Sequence, residues 1–348
     1  MAEAFLAAPG DLGTQTGGYA YDRRVLELLG SYGITCRHLV LPGSFPAPTP
    51  ADIEDSVQRL AATPADATLV IDGLAYGAMP AEAIARIGRR ILALVHHPLC
   101  LEAGLSTARA ADLRTIETAA LALASHTIVT SPATARLLAA EFAVPADRIT
   151  IAEPGTDPAT RATGTGTPLQ LLAVGAISPR KGYDVLVTAL GPLRELDWRL
   201  TIAGATDRHP QAVAAIRQAI AAAGLGDKIT LAGTVVPATL ERFYASADLF
   251  LMPSLFEGYG MVLAEAMARG LPIVCTTGGA AAETVPDTAA LKVPPGDVEA
   301  LGRALVLAMS DRKLRTRLAD ASWEAGRRLP TWNETARRIA AVILEIPQ

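Results

Sequence analysis

The sequence predicts an α/β protein made of two doubly wound parallel sheets, and two observations support this fold class. The chain has 348 residues, more than the roughly 250–300 at which a single hydrophobic core stops growing, so two domains are expected. Short apolar runs rich in Val, Ile and Leu alternate with longer amphipathic stretches. This alternation is typical of successive βα units, whose parallel strands are covered by helices on both faces.

Each half of the chain is expected to hold six strands separated by helices. The expected strands of the first half are 4–8, 34–40, 67–72, 91–96, 125–130 and 149–152. Those of the second half are 169–174, 199–203, 228–232, 248–252, 272–275 and 289–293, with helices that open after Gly182, Pro237, Gly260 and Asp297. Ligands of such sheets bind outside the carboxyl ends of the strands, so the loops that follow strands are expected to carry the chemistry.

Composition places the domain boundary in the middle of the chain. Residues 157–168 are dense in Thr, Gly and Pro and have no apolar periodicity, so we interpret them as a linker. We therefore expect an N-terminal domain over 1–165 and a C-terminal domain over 166–329. The final stretch, about 330–348, carries apolar residues at helical spacing and is predicted to be a helix that crosses back to the N-terminal domain.

Charge and composition exclude several classes of protein. Residues 1–165 carry 12 arginines and 17 acidic residues, a net charge of −5, so nothing indicates nucleic acid or an anionic membrane as a partner. No apolar run approaches the ~18–20 residues that cross a bilayer, and no basic leader precedes the first strand. We expect a cytoplasmic protein, soluble or peripheral to a membrane. Cys36, Cys100 and Cys275 lie far apart and are predicted to be small buried residues, not disulfides or zinc ligands.

The most informative segment is PSLFEGYGMVLAE, residues 253–265, which follows an apolar strand and opens a helix near Gly260. The glycines and the N–H groups of a helix start form an anion site that suits a diphosphate. Glu257 and Glu265 flank this site, and each carboxylate can accept a pair of sugar hydroxyls. A nucleotide-sugar, with a ribose at one end and a hexose at the other, fits that pattern. The alternative is that one glutamate decorates a loop and the other an exposed helix face.

A second loop after a strand carries two cations. The strand ends at Gly175, and Arg180 and Lys181 follow before the next helix. A lysine here can act as a point charge on a phosphate, while Gly182 keeps the turn open. Such a sequence alone is usually a solvated turn. In the same domain as the two glutamates it indicates a phosphate contact.

The N-terminal half offers weaker candidates. Gly17 and Gly18 lie between the first strand and a helix, and two glycines alone indicate only a turn. His96 and His97 follow the fourth strand; they are not expected to bind a metal, because adjacent side chains diverge on extended backbone and no third ligand is evident. One of the two is predicted to be a site residue, and the choice between them stays open. Glu102 is either an acceptor-side residue or a solvated charge.

These segments resemble the family 4 glycosyltransferases. The sequences VGAISPRKGYDVL, ADLFLMPSLFEGYGMVLAEAMARGLPIV, TTGGAAAETVPD and KVPPGD are similar to that family's C-terminal donor domain, and TGGYAYDRRVLELL, LVHHPLCLEAG and EPGTD to its N-terminal domain. The resemblance covers nearly the whole chain. It implies a GT-B fold, in which two Rossmann-like domains face each other across a cleft. It also implies a retaining, metal-independent hexosyltransferase that needs no cofactor and uses a nucleotide-diphosphate sugar, with a UDP-sugar favoured over GDP-mannose.

The resemblance assigns roles to the candidate residues. Lys181, helped by Arg180, would neutralise the leaving diphosphate, while Glu257 would hold the transferred hexose and Glu265 the ribose. Further donor contacts would come from Gly17, Gly18, Val235, Gly258, Tyr259, Gly260, Met261 and Val262. A histidine at the position of His96 or His97 hydrogen-bonds the transferred sugar in the family. The acceptor could be a saccharide, a lipid-linked molecule or a small molecule, and the oligomeric state is not readable.

One departure from the family pattern affects the expected activity. Many relatives carry an arginine directly after the glycine that ends the first strand of the C-terminal domain, and here that position is Ala176. Arg180 is near and long enough to substitute. The alternatives to a transferase are a GT-B sugar-nucleotide epimerase and a catalytically degenerate nucleotide-sugar-binding scaffold. A nicotinamide dehydrogenase is not indicated, because no Gly-x-Gly-x-x-Gly follows a first strand in either half.

Overall fold

A computed structural model describes residues 2–345 of this chain. Contacts between residues divide it into two compact units: Met1–Gly155 together with Pro330–Gln348, and Thr156–Leu329. Each unit contains one six-stranded sheet in which every neighbouring pair of strands is parallel. The α/β fold class that the sequence predicts, with two doubly wound parallel sheets, is confirmed.

The sheet of the first unit has the order β2-β1-β3-β4-β5-β6. Its strands are β1 (Ala2–Pro9), β2 (Ile34–Leu41), β3 (Thr68–Asp72), β4 (Arg90–Val95), β5 (His126–Val129) and β6 (Ile149–Ile151). Its helices are α1 (Gly17–Leu28), α2 (Pro50–Ala61), α3 (Gly73–Tyr76), α4 (Ala81–Ala85), α5 (Thr107–Ala122) and α6 (Pro132–Glu141), with 3-10 turns at Leu29–Tyr32, Leu99–Leu101 and Ala146–Arg148. The strand order reverses between β1 and β3, which makes their carboxyl ends the topological switch point.

The sheet of the second unit has the order β12-β11-β10-β7-β8-β9. Its strands are β7 (Leu169–Val174), β8 (Trp198–Ala203), β9 (Ile229–Gly233), β10 (Leu249–Met252), β11 (Ile273–Thr276) and β12 (Ala290–Val293). Its helices are α7 (Tyr183–Leu190), α8 (Pro210–Ala222), α9 (Pro237–Ser246), α10 (Met261–Ala268), α11 (Ala281–Thr284), α12 (Val298–Ser310) and α13 (Arg312–Gly326), with 3-10 turns at Pro179–Lys181 and Gly191–Leu193. This is the Rossmann strand order, and its switch point lies between β7 and β10.

The twelve predicted strands are all present, within about two residues of their predicted ends. They were readable because helices cover both faces of each sheet, so the strands are continuous apolar runs. All four residues of β10 and all four of β11 are buried. Leu171, Leu200 and Leu251 pack in one apolar cluster of the second unit, and Phe250 and Ile273 pack in another.

The last described helix, α14 (Trp332–Glu345), belongs to the first unit, as the sequence predicts for a helix that crosses back. Its apolar face, which includes Ile339, is buried. Thr335 donates a hydrogen bond to the carbonyl of Glu153 at 2.6 Å, and Arg338 donates one to the carbonyl of Ile151 at 3.0 Å. Residues 346–348 of the predicted helix lie outside the described part of the chain.

The segment interpreted as a linker, residues 157–168, is irregular but bonded to the second unit. The amide of Ala162 donates to the carbonyl of Arg269 at 2.9 Å, and the amide of Gly166 donates to the Asp248 carboxylate at 3.0 Å. The division between the units therefore falls at Gly155, before the predicted boundary at residue 165. Composition could not locate this boundary, because the backbone N–H groups of the segment bond to acceptors that are distant in the sequence.

Two further expectations can be compared with the structure. Cys100 and Cys275 are buried and Cys36 is half-buried, and none of the three forms a disulfide. Within residues 2–345, every helix is too short or too polar to cross a bilayer.

Candidate functional site

Two loops of the second unit meet at the switch point between β7 and β10. The loop after β7 carries Lys181, and the loop after β10 carries Glu257. Backbone contacts join the loops: the amide of Leu255 donates to the carbonyl of Arg180 at 2.7 Å. Gly182 adopts the left-handed conformation, φ 61°, and a Cβ at this position would lie 2.3 Å from the carbonyl oxygen of Pro253. Only glycine permits this approach, so the chain itself sets the distance between the two loops.

Two cations contact the carboxylate of Glu257. Lys181 Nζ lies 2.7 Å from Glu257 Oε1, and the Arg180 guanidinium lies 3.2 Å from Glu257 Oε2. Arg180 also donates to the carbonyl of Phe256 at 2.7 Å. The side chains of Lys181, Arg180 and Glu257 are only 13%, 18% and 8% exposed. This cation pair leaves one net positive charge at the carboxyl end of the sheet, in a place where water screens it weakly.

The environment of Glu257 keeps this side chain ionised. Burial alone would raise the pKa of its carboxyl group, but the charges of Lys181 and Arg180 outweigh burial and lower the pKa to about 2. A buried, ionised carboxylate is stable only with such partners. Glu257 is therefore a fixed hydrogen-bond acceptor at neutral pH.

This shift predicts how stability depends on pH. An unfolded Glu257 takes up a proton near its ordinary pKa of 4.5, whereas the folded one holds none until about pH 2. The ion pair thus stabilises the fold above pH 4.5, and this contribution is lost as the pH falls toward 2. In urea denaturation, Glu257→Gln should be less stable than the wild type at pH 7, and the difference should shrink as the pH falls below 4.5. Glu195→Gln, which removes an exposed surface charge, should show little difference at either pH; a constant deficit for Glu257→Gln would contradict the assignment.

The loop that carries Glu257 also contacts the segment that follows β11. The amide of Glu257 donates to the carbonyl of Gly278 at 3.2 Å, and its carbonyl accepts from the amide of Ala280 at 2.8 Å. Gly279 has φ 62°, and a Cβ there would lie 2.3 Å from the carbonyl oxygen of Glu257. The two glycines after β11 thus support the acidic loop through backbone contacts, and Glu257 is positioned by three separate segments of the chain.

Helix α10 begins directly after this loop. Gly260 precedes its first residue in the left-handed conformation, φ 92°, and no side chain caps the helix. Gly258 and Tyr259 are buried, and the Tyr259 carbonyl accepts from Thr284 Oγ1 at 2.6 Å. An uncapped helix start, beside a pair of cations, favours an anion. Met261 and Val262, in the first turn, are half-buried.

Glu265 lies one turn into α10 and is half-buried. Its Oε2 accepts a hydrogen bond from Tyr244 Oη at 2.7 Å, and the Arg269 guanidinium stacks on the Tyr244 ring at 4.4 Å. Burial raises the pKa of Glu265, although Tyr244 and Arg269 oppose the shift. Val235, after β9, is half-buried. The sequence did not identify Tyr244, because nothing in the spacing of α9 relates it to α10.

A second cluster lies at the carboxyl ends of the strands in the first unit. His96 follows β4, and its Nε2 lies 3.2 Å from Asp22 Oδ1 and 3.4 Å from Asp72 Oδ2. Both carboxylates are fully buried. Asp22 is in α1, four residues after Gly18, and Asp72 ends β3. We call these three residues the Asp–Asp–His triad.

The triad separates His96 from His97. His97 Nε2 contacts the partly exposed carboxylate of Glu102 at 3.0 Å instead. Among the described residues, the triad is the one group of His, Cys, Asp or Glu whose side-chain atoms lie close enough, within 4.8 Å of one another, to surround a cation. No third ligand beside the histidines was evident in the sequence, and the structure places two carboxylates next to His96. One carboxylate comes from a helix and the other from a strand, and their only sequence signal was that Asp72 ends an apolar strand and that Asp22 follows two glycines.

Burial and charge shift the protonation of the triad. Burial and the neighbouring charge of Asp72 raise the pKa of Asp22. Burial would lower the pKa of His96, but the two carboxylates outweigh burial and raise it. The triad therefore favours a protonated imidazole.

Each unit is a Rossmann-like α/β fold, and the second has a charged site at the switch point of its sheet. Residues 168–311 match a family model described as Glycosyl transferases group 1. Residues 168–311 are therefore similar to the group 1 glycosyltransferases, and the chain has the GT-B fold.

Curated relatives are similar to this chain over part of their length. Mannosylfructose-phosphate synthase of Agrobacterium fabrum is 32% identical over 180 residues, covering 50% of this chain and 40% of the relative. The lipopolysaccharide core mannosyltransferase LpsB of Rhizobium meliloti is 34% identical over 198 residues, covering 54% of this chain and 52% of the relative. The chain thus spans about half the length of these curated relatives.

Solved structures share the whole fold. Sucrose-phosphate synthase from Thermosynechococcus elongatus superposes with a TM-score of 0.85 at 20% identity and covers 99% of each chain. HepE from Anabaena in complex with UDP-glucose gives a TM-score of 0.77 at 16% identity, covering 98% of this chain and 99% of that chain. These similarities establish the arrangement of strands and helices.

Proposed function

We propose that this protein transfers a hexosyl group from a nucleoside diphosphate sugar to an acceptor hydroxyl. The observation that carries the proposal is the convergence of Lys181 and Arg180 on Glu257 at the switch point of a Rossmann-ordered sheet. Such switch points bind nucleotides. The group 1 family match over residues 168–311 covers the same loops.

The charges of the site suit a departing diphosphate. As the bond from the sugar to the diphosphate breaks, negative charge accumulates on the phosphate oxygens. Lys181 supplies a point charge and Arg180 a planar group that can donate two parallel hydrogen bonds. The uncapped start of α10 adds the positive end of the helix dipole. All three are fixed before the reaction, so they stabilise the developing charge without reorganisation.

Arg180 compensates in this proposal for the alanine at position 176. Relatives with an arginine directly after the first strand hold their second cation on the strand end, according to the family pattern. Here the guanidinium of Arg180 contacts the same carboxylate as Lys181. The proximity of the two cations supports an active enzyme over the catalytically degenerate scaffold. No observation favours the epimerase.

The carboxylates of Glu257 and Glu265 bind the two sugar rings of the donor. Glu257, held ionised, accepts hydrogen bonds from hydroxyls of the transferred hexose. Glu265, eight positions along the chain, accepts them from the ribose, and Val235 contacts the base. The backbone from Gly258 to Val262 binds the phosphates. Retention at the anomeric carbon follows in this proposal from a front-face reaction, in which the leaving phosphate oxygen takes the proton of the acceptor hydroxyl.

We propose a UDP-sugar as the donor and a transfer that requires neither divalent metal nor cofactor, in the cytoplasm. A protein of the same fold, HepE, has been crystallised with UDP-glucose, which supports UDP. Two relatives, the mannosylfructose-phosphate synthase and the mannosyltransferase LpsB, have names that refer to mannosyl groups, which supports GDP-mannose as the competing donor. The acceptor is a hydroxyl compound whose class the N-terminal loops determine.

The experiment compares thermal unfolding in UDP, GDP and ADP and in their sugars, with and without EDTA. A nucleotide at about 100 times its Kd stabilises the folded state by about 2.7 kcal/mol, which raises the Tm by several degrees. We expect UDP and UDP-sugars to do so, with no loss in EDTA. A rise in Tm with GDP alone would indicate a GDP-sugar donor in place of a UDP-sugar. No rise in Tm with any nucleotide would contradict the proposal.

Activity is measured with the stabilising donor and a panel of hydroxyl acceptors. Transfer that depends on the acceptor, with slow hydrolysis in its absence, is expected. Conversion of the donor sugar without any acceptor would identify an epimerase. Donor binding without turnover over the panel would identify a scaffold.

A further inference from the structure

A buried acid in α5, which has no part in the proposed chemistry, contacts the loop that follows β4. Glu117 is only 1% exposed. The loop that it reaches runs from His97 to Glu102, and His97 Nε2 lies 3.0 Å from Glu102 Oε2. We propose that Glu117 is a positioning residue that fixes this loop, and with it the pair of His97 and Glu102, for binding of the acceptor. Only the link to the acceptor rests on the proposed function.

The loop contains a helical turn that its own sequence does not cap. The 3-10 turn Leu99–Leu101 follows Pro98, and no side chain caps it at that position. The first amides of such a turn have no partner within it, and proline offers no side-chain oxygen to accept from them. The amide of Leu99 instead donates to Glu117 Oε2 at 2.9 Å, and the amide of Cys100 donates to the same carboxyl group. Glu117 thus caps the turn from a neighbouring helix.

The other oxygen of Glu117 packs against the loop that follows β3. Oε1 has no hydrogen-bond partner among residues 2–345. A Cβ at Gly77 would lie 2.9 Å from this oxygen and 3.0 Å from the carbonyl oxygen of Gly73, so a larger residue there would push the carboxyl group away. The hydroxyl of Tyr76 donates to the carbonyl of Ala120 at 2.7 Å. Positions 117 and 120 of α5 therefore contact two loops that follow neighbouring strands of the sheet.

The helix that carries Glu117 is anchored in the core of the first unit. Leu113 and Leu121 are buried in one apolar cluster with Leu99 and Cys100. Each of these leucines lies four residues from Glu117, so all three side chains share one face of α5. A packed helix is a rigid reference for a loop, because loops otherwise move more than the elements that they connect. The two hydrogen bonds therefore keep the loop at a defined distance from α5.

Glutamine is a close mimic of this side chain. Burial raises the pKa of Glu117 to about 8, although the amides of Leu99 and Cys100 and the charge of Arg114 oppose the shift. The carboxyl group is therefore mostly uncharged at pH 7, and a neutral amide of the same length keeps an oxygen for the two N–H groups. Leucine has a similar volume but no acceptor, so it leaves both buried amides unpaired. The variants Glu117→Gln and Glu117→Leu thus separate the hydrogen bonds from the bulk of the side chain.

Amide hydrogen exchange, followed by NMR, tests the placement of the loop without any need for activity. We expect Glu117→Gln to protect the amides of Leu99 and Cys100 as the wild type does. In Glu117→Leu they should exchange about ten- to hundredfold faster, because buried N–H groups lose their acceptor. Gly77→Ala, which presses on the carboxyl group from the opposite side, should have a smaller effect of the same kind and serves as the test if Glu117→Leu does not fold. Gly30→Ala is the matched control, since nothing lies within 4 Å of its added Cβ.

Kinetics test the link to the acceptor. Glu117→Leu should raise the acceptor KM by about tenfold, the usual effect of losing one or two hydrogen bonds, with a smaller change in kcat. Nucleotide affinity should stay unchanged, because the proposed donor contacts lie in the second unit. Glu117→Gln should restore the acceptor KM. A loss of stability alone would lower the amount of active enzyme, and hence the apparent kcat, but would not raise the acceptor KM.

The outcomes separate this inference from the proposed function. Unchanged protection of Leu99 and Cys100 in folded Glu117→Leu and Gly77→Ala proteins would overturn the inference, and so would an unchanged acceptor KM in Glu117→Leu. A Glu117→Gln enzyme as impaired as Glu117→Leu would show that the hydrogen bonds do not position the loop. A wild-type protein that transfers no sugar to any acceptor would refute the proposed function, while the exchange rates would still decide whether Glu117 fixes the loop.

Discussion

Replacing Lys181 by alanine is expected to reduce glycosyl transfer by about 10²–10³-fold, the usual effect of losing one preorganised charge at a developing anion. The lysine is one of two cations in contact with Glu257, at 2.7 Å, and it is only 13% exposed. Without it, the leaving diphosphate would have to rely on Arg180 and the helix start. Initial rates with saturating acceptor measure the loss.

This prediction needs a control for stability, because the variant leaves Glu257 buried with a single partner. Losing one partner of a buried ion pair commonly costs about 3–5 kcal/mol. Arg180 still pairs with Glu257 in this variant, so the loss of stability should be smaller than that of an unpaired carboxylate, and urea denaturation measures it. Lys313→Ala, on the exposed side of α13, should behave as the wild type. Near-normal transfer by a folded Lys181→Ala enzyme would remove the lysine from the mechanism.

Replacing Gly182 by alanine is expected to destabilise the second unit by about 2 kcal/mol or more and to abolish measurable donor binding. The left-handed backbone at this position costs a non-glycine residue about 1–3 kcal/mol. The added Cβ would also lie 2.3 Å from the carbonyl oxygen of Pro253, so the loops after β7 and β10 must separate. Such a separation breaks the contacts of Lys181 and Arg180 with Glu257. Urea denaturation and nucleotide binding by calorimetry measure the two effects.

The variant Gly224→Ala is a control that has the backbone strain of Gly182→Ala but not its steric clash. Gly224 has nearly the same φ, 65°, but nothing lies within 4 Å of its Cβ position, and it is exposed. Gly224→Ala should therefore lose only the stability that left-handed backbone costs a non-glycine residue, and it should keep donor binding. If the two variants lose equal stability and both bind nucleotide, the contact with Pro253 does not set the distance between the loops.

Much of the fold could be predicted from the sequence because buried parallel strands consist of continuous apolar residues. Lys181 and Glu257 were identifiable because each follows such a run, and loops after strands are where ligands bind. Their contact was not identifiable. It depends on β10 lying beside β7 in the sheet, although β8 and β9 come between them in the chain.

The rest of the candidate site depended on long-range packing. Asp22 and Asp72 are 50 positions apart in the chain, and each looks like an ordinary turn or helix residue until both are placed against His96. Tyr244 acquires a role only because α9 brings it to Glu265. Arg180 illustrates the opposite case: its sequence position suggested a substitute cation, and the structure brings it to the same carboxylate as Lys181.

The path of the chain through Gly155 and α14 makes the second unit an insertion within the first. A Cβ on Gly155 would lie 2.2 Å from the amide nitrogen of Trp332, so the points where the chain leaves and rejoins the first unit are in direct contact. A short peptide that joins residue 155 to residue 330 could therefore close the first unit without the second, and residues 156–329 could be produced as a separate polypeptide. Protein engineers could then exchange the second unit between relatives while they keep the first unit of this chain.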